Sequence, residues 1–127
     1  MLVRADAFGI VGLLDESYFM YGEEKEFCMR ARRHGLQTVC IPSSVILHKN
    51  GATARRYPGL KTYYMTRNRF NFMKKYASVL HVVSFLFFVI LVEPFSYFTQ
   101  TPSRALGASI RWHFRGVFSG IKRFLGP

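Results

Sequence analysis

The side chains with the most chemical potential stand close together near the start of the chain. Glu23, Glu24 and Glu26 follow directly on Phe19-Met20-Tyr21-Gly22, and Asp15 and Glu16 lie just ahead. A carboxylate held beside an aromatic-lined loop can take a proton from a hydroxyl placed against it. The same glutamates suit the first turn of a helix, where negative charge meets the positive end of the dipole, and that reading requires no chemistry. Further on, Arg67 and Arg69 offer guanidiniums of the kind that hold phosphate bidentately, whether from a substrate or a lipid headgroup. No Gly-rich phosphate loop, CxxC pair or local Ser/His/Asp signature occurs.

The elements that must position these residues can be read from local signals. Asp6 could cap a short helix ending at Val11, and Gly12 breaks it. A helix is well specified from Glu23. It has acids in its first turn, Arg30, Arg32 and Arg33 in its last, and Gly35 placed as a left-handed terminator. Phe27, Cys28 and Ala31 form its apolar face. Glu26 and Arg30 are spaced for an i,i+4 ion pair. Residues 37–41 and 45–48 are short and β-branched, stopped by Pro42 and by Asn50-Gly51, and are expected as two strands. Cys28 and Cys40 lie in apolar-periodic segments and read as small buried thiols in a reducing compartment.

Beyond Pro58 the character changes. The chain of 127 residues carries a net charge of +11, unevenly spread. Residues 1–60 hold eight Lys and Arg against six acids, whereas 61–127 hold ten against Glu93 alone. Residues 60–76 read as a helix with aromatic and basic side chains on all sides, fit for a protein–membrane boundary. Residues 77–98 open with sixteen uncharged positions, somewhat short of the ~20 a full crossing uses, so a re-entrant or interfacial helix is expected as much as a spanning one. Residues 104–125 place Leu106, Ile110, Phe114, Val117, Phe118, Ile121 and Leu125 on one arc, and Arg104, Arg111, Arg115 and Lys122 beside it. That is the pattern of a helix lying on an anionic membrane, although Gly107, Gly116 and Gly120 weaken it. Half-hydrophobic composition excludes a disordered polycation. Nucleic acid is not an expected partner, because the basic residues flank a long apolar run.

The order of motifs resembles the acceptor-side half of family 2 glycosyltransferases, especially rhamnosyltransferase-like members. The resemblance lies in Gly12-Leu13-Leu14-Asp15-Glu16, Phe19-Met20-Tyr21-Gly22-Glu23-Glu24, Ile41-Pro42, Val45 to His48, Gly51-Ala52-Thr53 and Tyr63-Tyr64 to Arg67-Asn68-Arg69, and covers about residues 1–76. It implies inverting sugar transfer from a nucleotide-sugar to a hydroxyl acceptor such as a lipid-linked glycan. The implied fold is α/β, the C-terminal fragment of a GT-A-type (Rossmann-like) fold followed by membrane-associated helices, with residues 1–59 as the glycosyltransferase part.

The resemblance also implies roles. Glu24 takes the position of the catalytic base, where the family has Asp, and Glu23 supports it. Asp15, Tyr21, Arg67 and Arg69 are implied acceptor or phosphate contacts, and His48 an implied ligand to a divalent metal, Mg²⁺ or Mn²⁺. The family's donor half with its Asp-x-Asp motif has no counterpart here, the only aspartates being Asp6 and Asp15. The chain is therefore expected to be a C-terminal portion, inactive without a donor-binding partner, at the cytoplasmic face of a membrane. A non-enzymatic membrane-binding remnant is the alternative, and a basic nucleic-acid-binding protein a lesser one.

Overall fold

The structure, a computed structural model, describes residues 1–47 and 59–126. The chain divides into two compact units, Met1–Ala52 and Thr53–Pro127.

In the first unit, α1 (Ala5–Val11) packs on α2 (Glu23–Arg33), with a 3-10 turn at Glu16–Tyr18 between them. Arg4, not Asp6, occupies the N-cap of α1 and makes no side-chain cap bond; Asp6 sits in the first turn, ion-paired to Arg4. The core is small: Val11, Phe27 and Ala31 are buried, with Val3 and Leu36 against them. Helix α2 ends as its sequence predicts. Gly35 has φ +78°, Leu36 N–H donates to Ala31 C=O and Gly35 N–H to Arg32 C=O, which satisfies two of the orphan carbonyls and folds Leu36 back onto the core.

Glu26 and Arg30 do more than brace one helix. Glu26 is wholly buried, and Arg30 Nε donates to its two carboxylate oxygens at 3.0 and 2.8 Å. The remaining guanidinium nitrogens cross to the other element, donating to Val11 C=O at 2.6 Å and Leu13 C=O at 2.7 Å. One side chain thus neutralises a buried charge and ties down the last carbonyl of α1 together with that of Leu13 just beyond the helix.

The second unit is helical throughout its described residues. It comprises α3 (Leu60–Tyr76), α4 (Val79–Phe87), a π segment (Phe88–Val92), α5 (Glu93–Gln100) and α6 (Ser103–Leu125). Helices α3 and α6 run parallel: Tyr63 meets Gly116 and Ser119, Phe70 meets Gly120, and Lys74 meets Arg123. Glycine makes this approach possible. A Cβ on Gly116 would lie 2.8 Å from the Tyr63 carbonyl oxygen, and one on Gly120 would run into the Phe70 ring. Gly107 faces open space. Phe70, Val89 and Val117 are buried at the centre, ringed by Phe85, Leu86, Ile121 and Phe124.

The π segment explains a buried histidine. Glu93 N–H donates to Phe88 C=O, so the next bond in that register would come from residue 94 to Val89 C=O. Residue 94 is proline and has no N–H. His113, fully buried on α6, fills the gap with Nε2 at 2.7 Å from the Val89 carbonyl oxygen. A carbonyl only accepts, so Nε2 carries the proton, leaving Nδ1 as acceptor for Tyr97 Oη at 3.2 Å.

Two expectations are corrected. No strand forms among the described residues, so the α/β, Rossmann-like fold is not what this chain adopts. Residues 37–41 and 45–47 are exposed and take no regular secondary structure, with a turn at Pro42-Ser43 closed by Ser44 N–H on Ile41 C=O. A β-branched segment needs a neighbouring strand for its backbone bonds, and none is present here. Nor are both thiols buried: Cys28 is partly exposed and Cys40 exposed, and both are free.

The helix–helix seam yields a direct prediction. Gly116→Val should cost about 1–3 kcal/mol, since it overpacks against backbone that cannot swing aside. Gly107→Ala, on the same helix in open space, should instead gain about 0.5–1 kcal/mol from helix propensity alone. Thermal unfolding followed by helix circular dichroism checks both; equal effects would show that the seam has no special role.

Candidate functional site

The loop before α2 departs from ordinary backbone geometry. Phe19 has φ +58° and ψ −52°, and Met20 N–H donates across it to Tyr18 C=O at 2.6 Å, a strained γ-turn. Tyr21 follows at φ +68° and Gly22 at φ +96°. Non-glycine residues rarely adopt positive φ, and two within three positions is a local cost that the rest of the unit holds in place. Buried Tyr18 lies under the loop, and its ring is 3.5 Å from where a Gly22 Cβ would stand. Phe19 is thereby left outside, largely exposed, with Tyr21 partly exposed beside the start of α2.

The two candidate carboxylates differ sharply in setting. Glu24 is exposed at the second position of α2, and its Oε2 accepts a long 3.2 Å bond from Gly22 N–H. That bond leaves lone pairs of the exposed carboxylate open to solvent. Glu23 is partly buried, and its Oε2 is enclosed with no hydrogen-bond partner among the described residues. Glu26 is excluded from such a role by its full engagement with Arg30. Asp15 caps the 3-10 turn, Oδ1 accepting from Ser17 N–H at 2.9 Å.

Arg67 and Arg69 belong to the second unit, and each is engaged there. Arg67 is buried, its guanidinium 4.5 Å above the Tyr64 ring and bonded to Asn68 Oδ1 at 2.8 and 2.9 Å. Desolvation, aided by the charge of Arg123, pushes its pKa below the usual arginine value. Arg69 Nη1 pairs with Glu93 at 2.6 Å, which compensates the one acid of an otherwise apolar helix. His48 lies outside the described residues. Among those described, no group of three or more His, Cys, Asp or Glu side chains could hold a metal. Asp15 is already occupied as a cap, so the described residues do not form a metal site by themselves.

Two features escape sequence reasoning. Arg30 is legible as an ion-pair partner but not as the clamp on Val11 and Leu13, whose carbonyls are far away in sequence. His113 is missed because its polar type keeps it out of the apolar arc that it borders on the helical wheel. The available signal is Pro94, which guarantees an orphan carbonyl in the preceding helix.

Helices of the second unit also expose a large apolar surface. Val79–Thr99 is one helix long and apolar enough to cross a membrane, with little of it buried in the protein. Phe114, Phe118 and Leu125 of α6 are likewise exposed.

Sequence comparison places the chain among partial relatives that are glycosyltransferases. It is 41% identical over 58 residues to N-acetylglucosaminyl-diphospho-decaprenol L-rhamnosyltransferase of Mycobacterium tuberculosis, covering 46% of this chain and 19% of that protein. It is 35% identical over 71 residues to the low-salt glycan biosynthesis hexosyltransferase Agl10 of Haloferax volcanii, covering 55% and 23%. It is 28% identical over 82 residues to dTDP-rhamnosyl transferase RfbF of Shigella flexneri, covering 58% and 28%. The chain thus spans between a fifth and three-tenths of the length of these curated relatives. No family model and no solved structure matches it.

Proposed function

We propose that the chain supplies the acceptor-side carboxylate and the membrane-associated helices of an inverting family 2 glycosyltransferase. The observation that carries this is the pairing of a strained, aromatic-bearing loop at Phe19–Tyr21 with the exposed carboxylate of Glu24, in a chain whose relatives are named rhamnosyl- and hexosyltransferases.

The chemistry follows from what an open carboxylate can do. The acceptor hydroxyl lies against Tyr21 and within hydrogen-bond reach of Glu24 Oε; Asp15 holds the loop ahead of them. Glu24 takes the hydroxyl proton as its oxygen bonds to the anomeric carbon. The bond from that carbon to the diphosphate breaks on the opposite face, the nucleoside diphosphate departs with the electron pair, and configuration inverts. Glu23, with an enclosed oxygen, is the supporting carboxylate at the helix start. Donor binding falls to sequence outside these 127 residues. A divalent ion, Mg²⁺ or Mn²⁺, would neutralise the leaving diphosphate, with His48 the ligand that the resemblance implies from this chain.

A lipid-linked acceptor suits the exposed apolar helices, since a substrate tethered in the bilayer is met by an enzyme lying on it. Those helices also support the second reading, a membrane-binding remnant without catalysis. An assay separates the two. The chain is combined with a donor-binding polypeptide from the same family and given dTDP-rhamnose and a polyprenyl-diphosphate glycan. Transfer is expected from the combination and none from either part. If the combination also fails while the donor polypeptide binds its nucleotide, the remnant reading stands.

A further inference from the structure

At the end of the second unit where α3 and α6 both terminate, a slot of about 270 Å³ opens between α3, α4 and α6. Phe70, Val82, Phe85, Leu86, Ile121 and Phe124 line it, and no polar surface reaches it. The volume approaches that of small ligand pockets, ~300 Å³ and upward. An apolar cavity does not hold water stably, and its walls gain dispersion contacts only when another apolar group enters.

The surroundings identify the kind of group. One wall, α4, continues outward into exposed Val79, Leu80, Val83 and Phe87, the surface of the helix that is long and apolar enough to cross a membrane. Hydrocarbon chains are what such a surface meets. Basic residues, meanwhile, alternate with the lining: Lys122 and Arg123 stand between Ile121 and Phe124, and Lys74 and Lys75 follow one turn after Phe70. Lys74 Nζ is fixed on Gly126 C=O at 2.5 Å and Arg123 C=O at 3.2 Å, which ties the two helix ends together beside the slot. Two helix C-termini carry about half a negative charge each, so four cations exceed what the dipoles need. The one acid of residues 61–127, Glu93, is neutralised by Arg69. The two helix ends that flank the slot therefore carry net positive charge.

We propose that this slot seats one hydrocarbon chain of a phosphate-bearing membrane lipid, with Lys75, Lys122 and Arg123 meeting the headgroup. The site does not depend on sugar transfer, and a chain without that activity would still hold the lipid.

Native mass spectrometry of the full chain, released from micelles after titration with phosphatidylglycerol or phosphatidylcholine of identical acyl chains, tests it. One phosphatidylglycerol per chain is expected, preferred over phosphatidylcholine by about tenfold, the effect of one to two kcal/mol of added headgroup attraction. Leu86→Trp, which fills the slot, should abolish the adduct while circular dichroism shows helix content retained; Val82→Phe serves the same purpose if the first variant misfolds. The pair Lys122→Gln and Arg123→Gln should keep the adduct but lose the preference. Many equal adducts of both lipids, unchanged by Leu86→Trp, would mean that lipid merely coats the helices and would overturn the proposal, as would a lipid-free dimer covering the slot. Inorganic phosphate alone should not bind.

Discussion

Arg30→Met is expected to destabilise the first unit by about 3–5 kcal/mol, the usual cost of removing one partner from a buried ion pair. The size follows from what is left behind. Glu26 stays wholly buried with its charge uncompensated, and the Val11 and Leu13 carbonyls lose their donors at 2.6 and 2.7 Å. A unit of about fifty residues, whose described residues hold a packed core cluster of Val11, Phe27 and Ala31, has little reserve against such a loss. Amide hydrogen exchange should show protection vanishing from α1 and α2 while α3 and α6 keep theirs. Arg30→Lys should fall between, because one ammonium cannot reach the carboxylate and two carbonyls in a fork. The pair Glu26→Met and Arg30→Met should recover much of the loss, since it removes the stranded charge together with its partner. Protection in the single variant equal to the parent would show that the clamp is incidental.

That clamp marks the boundary of what was legible in the residues alone. The Glu26–Arg30 pair is local, four positions apart, and so are the acids, arginines and Gly35 that define α2; such signals need no knowledge of the rest of the chain. Leu60–Tyr76 and Ser103–Leu125 were readable for the same reason. The strands expected at 37–41 and 45–48 do not form among the described residues, because a strand is stabilised by backbone bonds to another strand, and β-branching records only a compatible surface. Gly116 and Gly120 read as weaknesses in α6 because propensity prices them in isolation. Against α3 they are the positions where the two backbones close, and the buried face turns toward His113, Gly116, Val117 and Gly120, leaving Phe114 and Phe118 outside. Arg69 was read as a phosphate contact for its chemistry; its engagement with Glu93, 24 residues on, is a product of packing. The candidate carboxylates were visible by type and position, whereas the positive-φ loop that presents them belongs to the folded unit alone.

In the reconstituted enzyme, Glu24→Gln should lower kcat by about 10²- to 10⁴-fold, the contribution typical of a positioned general base. Gln keeps the shape and can still accept from Gly22 N–H through its carbonyl oxygen, so fold and substrate affinity should change little. A fall in kcat with KM nearly constant would mark an interaction made in the transition state. Glu24→Asp draws the carboxylate back by one methylene but restores the residue type that the resemblance places here, and it should retain far more activity than Gln. Glu23→Gln, changing a group with one enclosed oxygen, should cost less than Glu24→Gln. If Glu24→Gln leaves kcat unchanged, the proton leaves the acceptor by another route, and the three glutamates return to their simpler part as the charged first turn of α2.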